Sequence, residues 1–310
     1  MKIGFFGTPD IGAFCLRELA RGFEVLFAVT GEDKPAGRHR HLQASPVKEA
    51  ALELGIPVLQ PAKLRDAAFV ARLKEYPADA YVVVAYGRLI PREIFDHPPL
   101  KTVNLHPSLL PKYRGAAPVE WALMRGEEQT GITVQVINEK LDAGDILAQE
   151  VIGVGRDTTA GALYDMVLPR GAALLADTLR RMEAGDITPL KQNEADATYC
   201  GKIDRDLARV DWTKTAAEIH NLVRGLNPKP VAWTEFRGKN MRLWATSLPG
   251  DAAGIELAPG ELHVHNRKRL LVGAGGGVVE ILGIQPETKK AMDGLSFING
   301  YRIQAGERLG

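Results

Sequence analysis

Over the first 150 residues, short apolar runs alternate with stretches of helical periodicity. KIGFF (2–6), FEVLFAV (23–29), AYVVVAY (80–86) and TVNL (102–105) read as strands, and 10–21, 46–54 and 67–75 read as helices. A strand that is apolar at nearly every position is buried on both faces, and the helices between such strands supply the cover. This pattern predicts an α/β domain built on a parallel sheet. Such a sheet places its ligand site at the carboxyl ends of the strands. The tripeptide NLH (104–106) sits at one of those ends.

The pattern then changes. GITVQVIN (131–138) and DILAQEVIGV (145–154) read as two further strands joined by EKLDAG. A helical stretch follows from about 160 to 183, and Pro169 and Gly171 are expected to divide it in two. Residues 186–205 are polar and irregular. Beyond them a helix over 216–225 leads into short strands separated by Gly, Pro and charged turns, the signature of a small antiparallel barrel. At 310 residues the chain is long for one core. The expected division is a catalytic α/β domain at 1–190, a linker at 191–206 and a β domain at 207–310.

Composition excludes several classes. Hydrophobic residues make up 45% and charged residues 25% of the chain, ordinary for a soluble globular protein. No apolar run approaches the roughly 18 to 20 residues that span a bilayer. MKIGFFGTPD enters a buried strand at once, with no room for a signal peptide, so a cytoplasmic location is expected. Cys15 and Cys200 lie far apart and suggest neither a disulfide framework nor a metal site. The net charge of +1 conceals a gradient: residues 205–310 carry 15 Lys and Arg against 11 Asp and Glu, and residues 1–204 carry 24 against 27. A mildly basic back end fits a polyanionic partner, and it equally fits ordinary scatter of surface charge.

The stretch VNLHPSLLPKYRGAAP (103–118) holds the sharpest signal. Asn104 and His106 share strand parity and so point to one face. Pro107 and Pro111 stiffen the loop that follows. In LDAGDIL (141–147), Asp142 precedes a turn at Gly144. If the two strand ends are neighbours, Asp142 is placed to accept a hydrogen bond from His106 and set its tautomer. An amide, an imidazole and a carboxylate with no Ser or Cys nucleophile favour direct transfer of an acyl group to an external acceptor. GTPDIG (7–12) lacks the spacing of the dinucleotide fingerprint and implies no nicotinamide cofactor. The long segment 31–50 carries Lys34, Arg38 and Arg40. It reads either as a grip on a phosphate backbone or as a solvated surface loop.

With these motifs in hand, the chain resembles the folate-dependent formyltransferases. NLHPSLLPKYRGAAP and LDAGDIL are similar to the superfamily's two central motifs. GTPDIGAF, KPAGR…SPVK, VVAYGRLIP and IHNLVRGLNPKPVAWTEF extend the likeness, at about full length, to the branch that formylates methionyl-tRNA. The resemblance implies a Rossmann-like N-terminal domain that binds 10-formyltetrahydrofolate, and an OB-like C-terminal barrel that helps hold the initiator methionyl-tRNA. It assigns catalysis to Asn104, His106 and Asp142, folate contact to Ser108, Leu109, Leu110 and Pro111, and tRNA contact to Lys34, Arg38 and Arg40. It implies a monomer and no metal. Formyltransferases acting on sugar nucleotides, a formyltetrahydrofolate hydrolase, and a non-catalytic RNA-binding relative share parts of this pattern.

Overall fold

The computed structural model describes residues 1–36, 41–252 and 254–310. Arg38 and Arg40 lie outside the described residues. The chain divides into two compact units. One holds residues 1–116, 130–152 and 165–200, and the other holds 117–129, 153–164 and 201–310.

The first unit opens with β1 (Lys2–Gly7), α1 (Asp10–Leu19), β2 (Glu24–Val29), β3 (Lys34–Ala36), β4 (His41–Gln43), α2 (Pro46–Glu53), β5 (Val58–Leu59), α3 (Ala67–Lys74), β6 (Ala80–Val84), α4 (Arg92–Phe95), β7 (Thr102–His106) and β8 (Arg114–Gly115). The chain continues through α5 (Pro118–Met124), β9 (Gln129–Val136), β10 (Ile146–Gly153), α6 (Ala160–Ala184) and β11 (Tyr199–Cys200). Seven strands form one sheet in the order β10-β9-β7-β6-β1-β2-β5. β1 lies between β2 and β6 and runs parallel to both. Every residue of β6 is buried, as a central strand covered on both faces requires. Phe6, Phe27 and Tyr81 pack edge to face or tilted on one side of it. Local signals set the helix starts. Ser45 accepts the Lys48 N–H with Pro46 in the first turn of α2, and Asp66 accepts the Phe69 N–H at the start of α3.

The sheet is mixed, not wholly parallel as the sequence pattern predicts. β7 and β9 are antiparallel, with Val103 opposite Val136 and His106 opposite Thr133. Two parallel neighbours need a connection that crosses back over the sheet. The helix between β7 and β9 is the seven-residue α5, which packs instead on α7 (Ala216–Gly225). The chain therefore re-enters the sheet from the end at which it left.

The expected break in the 160–183 helix is absent, and α6 runs on through Pro169. Proline costs a helix interior about 3 kcal/mol. Val167, Leu175 and Leu179 are almost wholly buried on one stripe of the helix, and each contributes roughly 1.5–3 kcal/mol. Gly171 lies in the same stripe. A Cβ there would come within 3.1 Å of the Leu105 side chain, so this glycine permits close packing on the sheet and does not mark a break.

In the second unit, β12 (Ala232–Phe236), β13 (Lys239–Ser247), β14 (Leu262–His265), β15 (Arg269–Gly273), β16 (Val278–Pro286) and β17 (Met292–Asp293) form an antiparallel sheet, followed by α8 (Gly294–Tyr301). Its core joins Trp212, Ile219, Val223, Phe236, Leu243, Leu270, Ile281 and Phe297. α7 begins with a reciprocal capping box between Thr215 and Glu218. Among the described residues no helix is long and apolar enough to cross a membrane.

Candidate active site

The antiparallel step from β7 to β9 builds the site. Asn104 stands opposite Gln135 and His106 opposite Thr133. Directly opposed residues of an antiparallel pair project to the same face, so these four side chains share one face at the end of β7. The Asn104 side chain is half-buried, and it makes no hydrogen bond among the described residues.

His106 is 4% exposed. Its Nε2 lies 2.9 Å from the Tyr113 carbonyl. A carbonyl only accepts, so Nε2 carries the hydrogen and donates it. Nδ1 lies 3.8 Å from Asp142 Oδ2, beyond hydrogen-bond range. Strand-end adjacency thus brings Asn104, His106 and Asp142 to one spot, but the tautomer of His106 is set by Tyr113 and not by the carboxylate. Asp142 Oδ2 accepts the Gly115 N–H at 2.9 Å, and Oδ1 accepts from Gln135 Nε2 at 3.2 Å.

Unusual backbone makes these contacts possible. Tyr113 and Asp142 sit at φ +60° and +49°, in the left-handed region. Gly115 is at φ +129°, where a Cβ would fall on the Cys200 carbonyl. At Gly144 a Cβ would fall on the Val136 carbonyl. Only glycine lets the turn after Asp142 close onto β9.

The segment 108–111 is a tightly pinned loop. Ser108 is fully buried, and its hydroxyl donates to the Lys112 carbonyl at 2.7 Å. Thr133 Oγ1 donates to the Ser108 carbonyl at 2.7 Å and accepts from Leu110 N at 3.1 Å and Gln149 Nε2 at 2.8 Å. Leu110 is buried, whereas Leu109 and Pro111 are partly exposed. Ser108 and Leu110 therefore shape the loop, and Leu109 and Pro111 are the members that solvent reaches.

Three residues beside the site, Arg114, Gln192 and Glu194, are given no role by the sequence motifs. Arg114 is 1% exposed and makes a two-pronged pair with Glu194, at 3.0 and 2.9 Å. Its Nε and Nη2 donate to Gln192 Oε1 at 3.1 and 2.8 Å. The one available signal is the place of Arg114 in the KYRG segment that follows the NLHPSLLP motif. Its partners lie almost 80 residues away in an irregular polar segment, where periodicity says nothing.

At the base of the long loop, Asp33 accepts from Lys48 Nζ at 2.7 Å and from Gln60 Nε2 at 2.8 Å. The Lys48 hydrogen bond, reinforced by that from Gln60, holds the Asp33 carboxyl below the usual carboxylate range. Lys34 is exposed on β3. Among the described residues no cluster of three or more His, Cys, Asp or Glu could hold a metal ion.

Comparison with known proteins gives a consistent answer. Residues 1–179 match the family described as formyl transferase, and residues 202–302 match formyl transferase, C-terminal domain. The chain is 42% identical over 312 residues to the methionyl-tRNA formyltransferase of Symbiobacterium thermophilum, covering 100% of this chain and 95% of that protein. It is 40% identical over 314 residues to that of Lachnospira eligens, covering 100% of both. Among solved structures, WlaRD, a sugar 3N-formyl transferase crystallised with dTDP and 5-N-formyl-THF, superposes with a TM-score of 0.68 at 18% identity, over 94% of this chain and 99% of that one. This last likeness is one of fold. Full-length identity at this level, with both formyl transferase families matched in order, places the chain in the methionyl-tRNA formyltransferase family.

Proposed function

We propose that the chain transfers the formyl group of 10-formyltetrahydrofolate to the α-amino group of methionyl-initiator-tRNA. The observation that carries this reading is an uncommitted Asn104 amide beside the His106–Asp142 pair at a strand end, with no nucleophilic side chain in the set. The amine attacks the formyl carbon, a new C–N bond forms, and the bond from that carbon to folate N10 breaks. The formyl oxygen becomes negative on the way. Asn104 donates to it. His106 has its Nε2–H committed to Tyr113, so Nδ1 is the edge that takes a proton and then donates. Asp142, held by Gly115 and Gln135, balances that positive charge and helps pass the proton lost by the amine to N10. Each donor to such an oxyanion is worth roughly 3–4 kcal/mol, about 100- to 1000-fold in rate.

Leu109 and Pro111 are the folate-contacting surface of the 108–111 loop, with Ser108 and Leu110 setting its shape. The catalytic domain, residues 1–190, is Rossmann-like. Residues 191–206 connect it to an OB-like barrel at 207–310. Lys34, Arg38 and Arg40 contact the acceptor end of the tRNA, and the enzyme works as a cytoplasmic monomer without a metal. The test is formyl transfer from 10-formyltetrahydrofolate to charged initiator and elongator Met-tRNA side by side, with a dTDP-amino sugar as a control acceptor. Formylation of initiator Met-tRNA well above the other two is expected. Transfer to the sugar alone overturns the assignment.

A further inference from the structure

We infer that residues 190–200 form a strap across the back of the site, and that Gln192 and Arg114 are positioning residues for the His106–Asp142 pair. The inference rests on the catalytic reading above and adds residues to it.

The strap is fastened along its length. Leu190 and Ile146 exchange backbone hydrogen bonds of 2.8 and 2.7 Å. The Tyr113 N–H donates to Thr198 Oγ1 at 2.8 Å, and the Arg114 N–H donates to the Thr198 carbonyl at 2.8 Å. β11 then pairs in parallel with β8, so that Cys200 stands opposite Gly115. Cys200 Sγ lies 3.3 Å from the Tyr113 carbonyl. That carbonyl is the same group that accepts from His106. The strap therefore holds Tyr113 and Gly115, the direct backbone partners of His106 and Asp142.

Gln192 joins the strap to the other side of the site. Its Nε2 lies 2.9 Å from the Asp142 carbonyl, 2.7 Å from the Gly144 carbonyl and 3.2 Å from Gln135 Oε1. An amide nitrogen has two hydrogens, and the two carbonyls are the nearer acceptors. The amide oxygen faces Arg114, which can only donate. Both ends of the amide are thus oriented by their partners. Glu194 completes the line by neutralising the buried Arg114. Without the two bonds from Gln192, the Asp142–Gly144 turn keeps its contacts to Gly115 and Gln135 but loses its tie to the strap. A displacement of about 1 Å at a catalytic group can cost roughly 100-fold in rate. A polar segment that reads as a connection between domains is, on this account, part of the catalytic machinery's support.

The test is a double-mutant cycle on the full-length protein. Gln192→Ala should lower kcat by about 10-fold or more, with the KM for 10-formyltetrahydrofolate within about two-fold of wild type. In an Asp142→Asn background the same change should cost less than about two-fold further, because its effect passes through Asp142. Gln192→Glu keeps the acceptor for Arg114 and loses the donated bonds. It should show the same kcat defect at a temperature where its unfolding curve shows it fully folded, and it carries the cycle if the alanine variant does not fold. Wild-type kcat in Gln192→Glu, or effects that simply multiply with Asp142→Asn, overturns the positioning role. Wild-type turnover in Asp142→Asn alone sinks the catalytic reading instead.

Discussion

The Nε2–H of His106 is committed to the Tyr113 carbonyl at 2.9 Å, which leaves Nδ1 as the edge turned towards Asp142, 3.8 Å away. The imidazole is thus oriented from behind by backbone, and its Nδ1 edge faces the carboxylate. Nitrogen-15 NMR of the His106 ring should show the hydrogen on Nε2 in the neutral form. A hydrogen on Nδ1 would contradict this arrangement.

His106→Ala and Asn104→Ala should each reduce turnover by about 100-fold or more while far-UV spectra and folate binding persist. Steady-state kinetics at saturating folate and tRNA decide the matter. Turnover near wild type in either variant removes that residue from the chemistry.

Asp142→Asn preserves shape and the Gly115 contact but removes the charge beside the imidazole. A large fall in turnover is expected, with a modest change in folate affinity. Collapsed folate binding with surviving saturated turnover would make Asp142 a ligand or structural residue.

Gly144→Ala and Gly153→Ala make a matched pair. The first places a methyl on the Val136 carbonyl, and the second has nothing within 4 Å. Gly144→Ala should lower the thermal midpoint and turnover together, whereas Gly153→Ala should shift stability by no more than about 0.5 kcal/mol. Equal midpoints for the two variants would show that the turn can relax.

The second unit should respond to acid through His220, which is 3% exposed. Burial lowers its pKa from 6.5, against raising contributions from the Arg156 carbonyl and Asp157, while Arg224 adds to the lowering. The folded form therefore binds fewer protons than the unfolded form between the folded pKa and about 6.5. The stability this provides is present above pH 6.5 and is lost as pH falls through that window. Burial raises the Glu120 pKa. That contribution has the opposite sign: it is present at low pH and lost as pH rises through the folded value. Denaturant unfolding between pH 7 and 5 should show a decline that His220→Asn flattens, and an unchanged slope in the variant would assign the decline elsewhere.

On the proposed role of Arg38 in placing the acceptor end, Arg38→Ala should lower the saturated single-turnover rate with initiator tRNA more than it lowers tRNA affinity, because misplacement costs rate as well as binding. Lys268, exposed in the turn between β14 and β15 of the mildly basic second unit, is the control: on the proposed reading Lys268→Ala should weaken binding and flatten its salt dependence without changing the saturated rate. A loss of affinity alone in Arg38→Ala would make the loop a purely electrostatic handle.

Six of the seven strands of the first sheet (all but the two-residue β5), the face shared by Asn104 and His106, and the turn at Gly144 were legible in the chain. Each rests on a local rule: alternating parity, apolar runs, and the turn preference of an Asp beside a Gly. The direction of β9, the continuity of α6 through Pro169, and the pairing of Arg114 with Glu194 were not. They depend on where α5 packs, on how much apolar surface α6 buries, and on a segment almost 80 residues downstream. Sequence periodicity reports which face of an element is apolar, but it does not report what that face meets. His106 shows the division most plainly. The sequence determines that an imidazole stands at the end of β7 beside an amide. Only the tertiary structure decides which ring nitrogen holds the hydrogen, because the deciding group is the backbone carbonyl of Tyr113, held at φ +60° by contacts with Thr198 and Cys200. A backbone carbonyl has no letter in the sequence, and its direction exists only once the chain has folded around it.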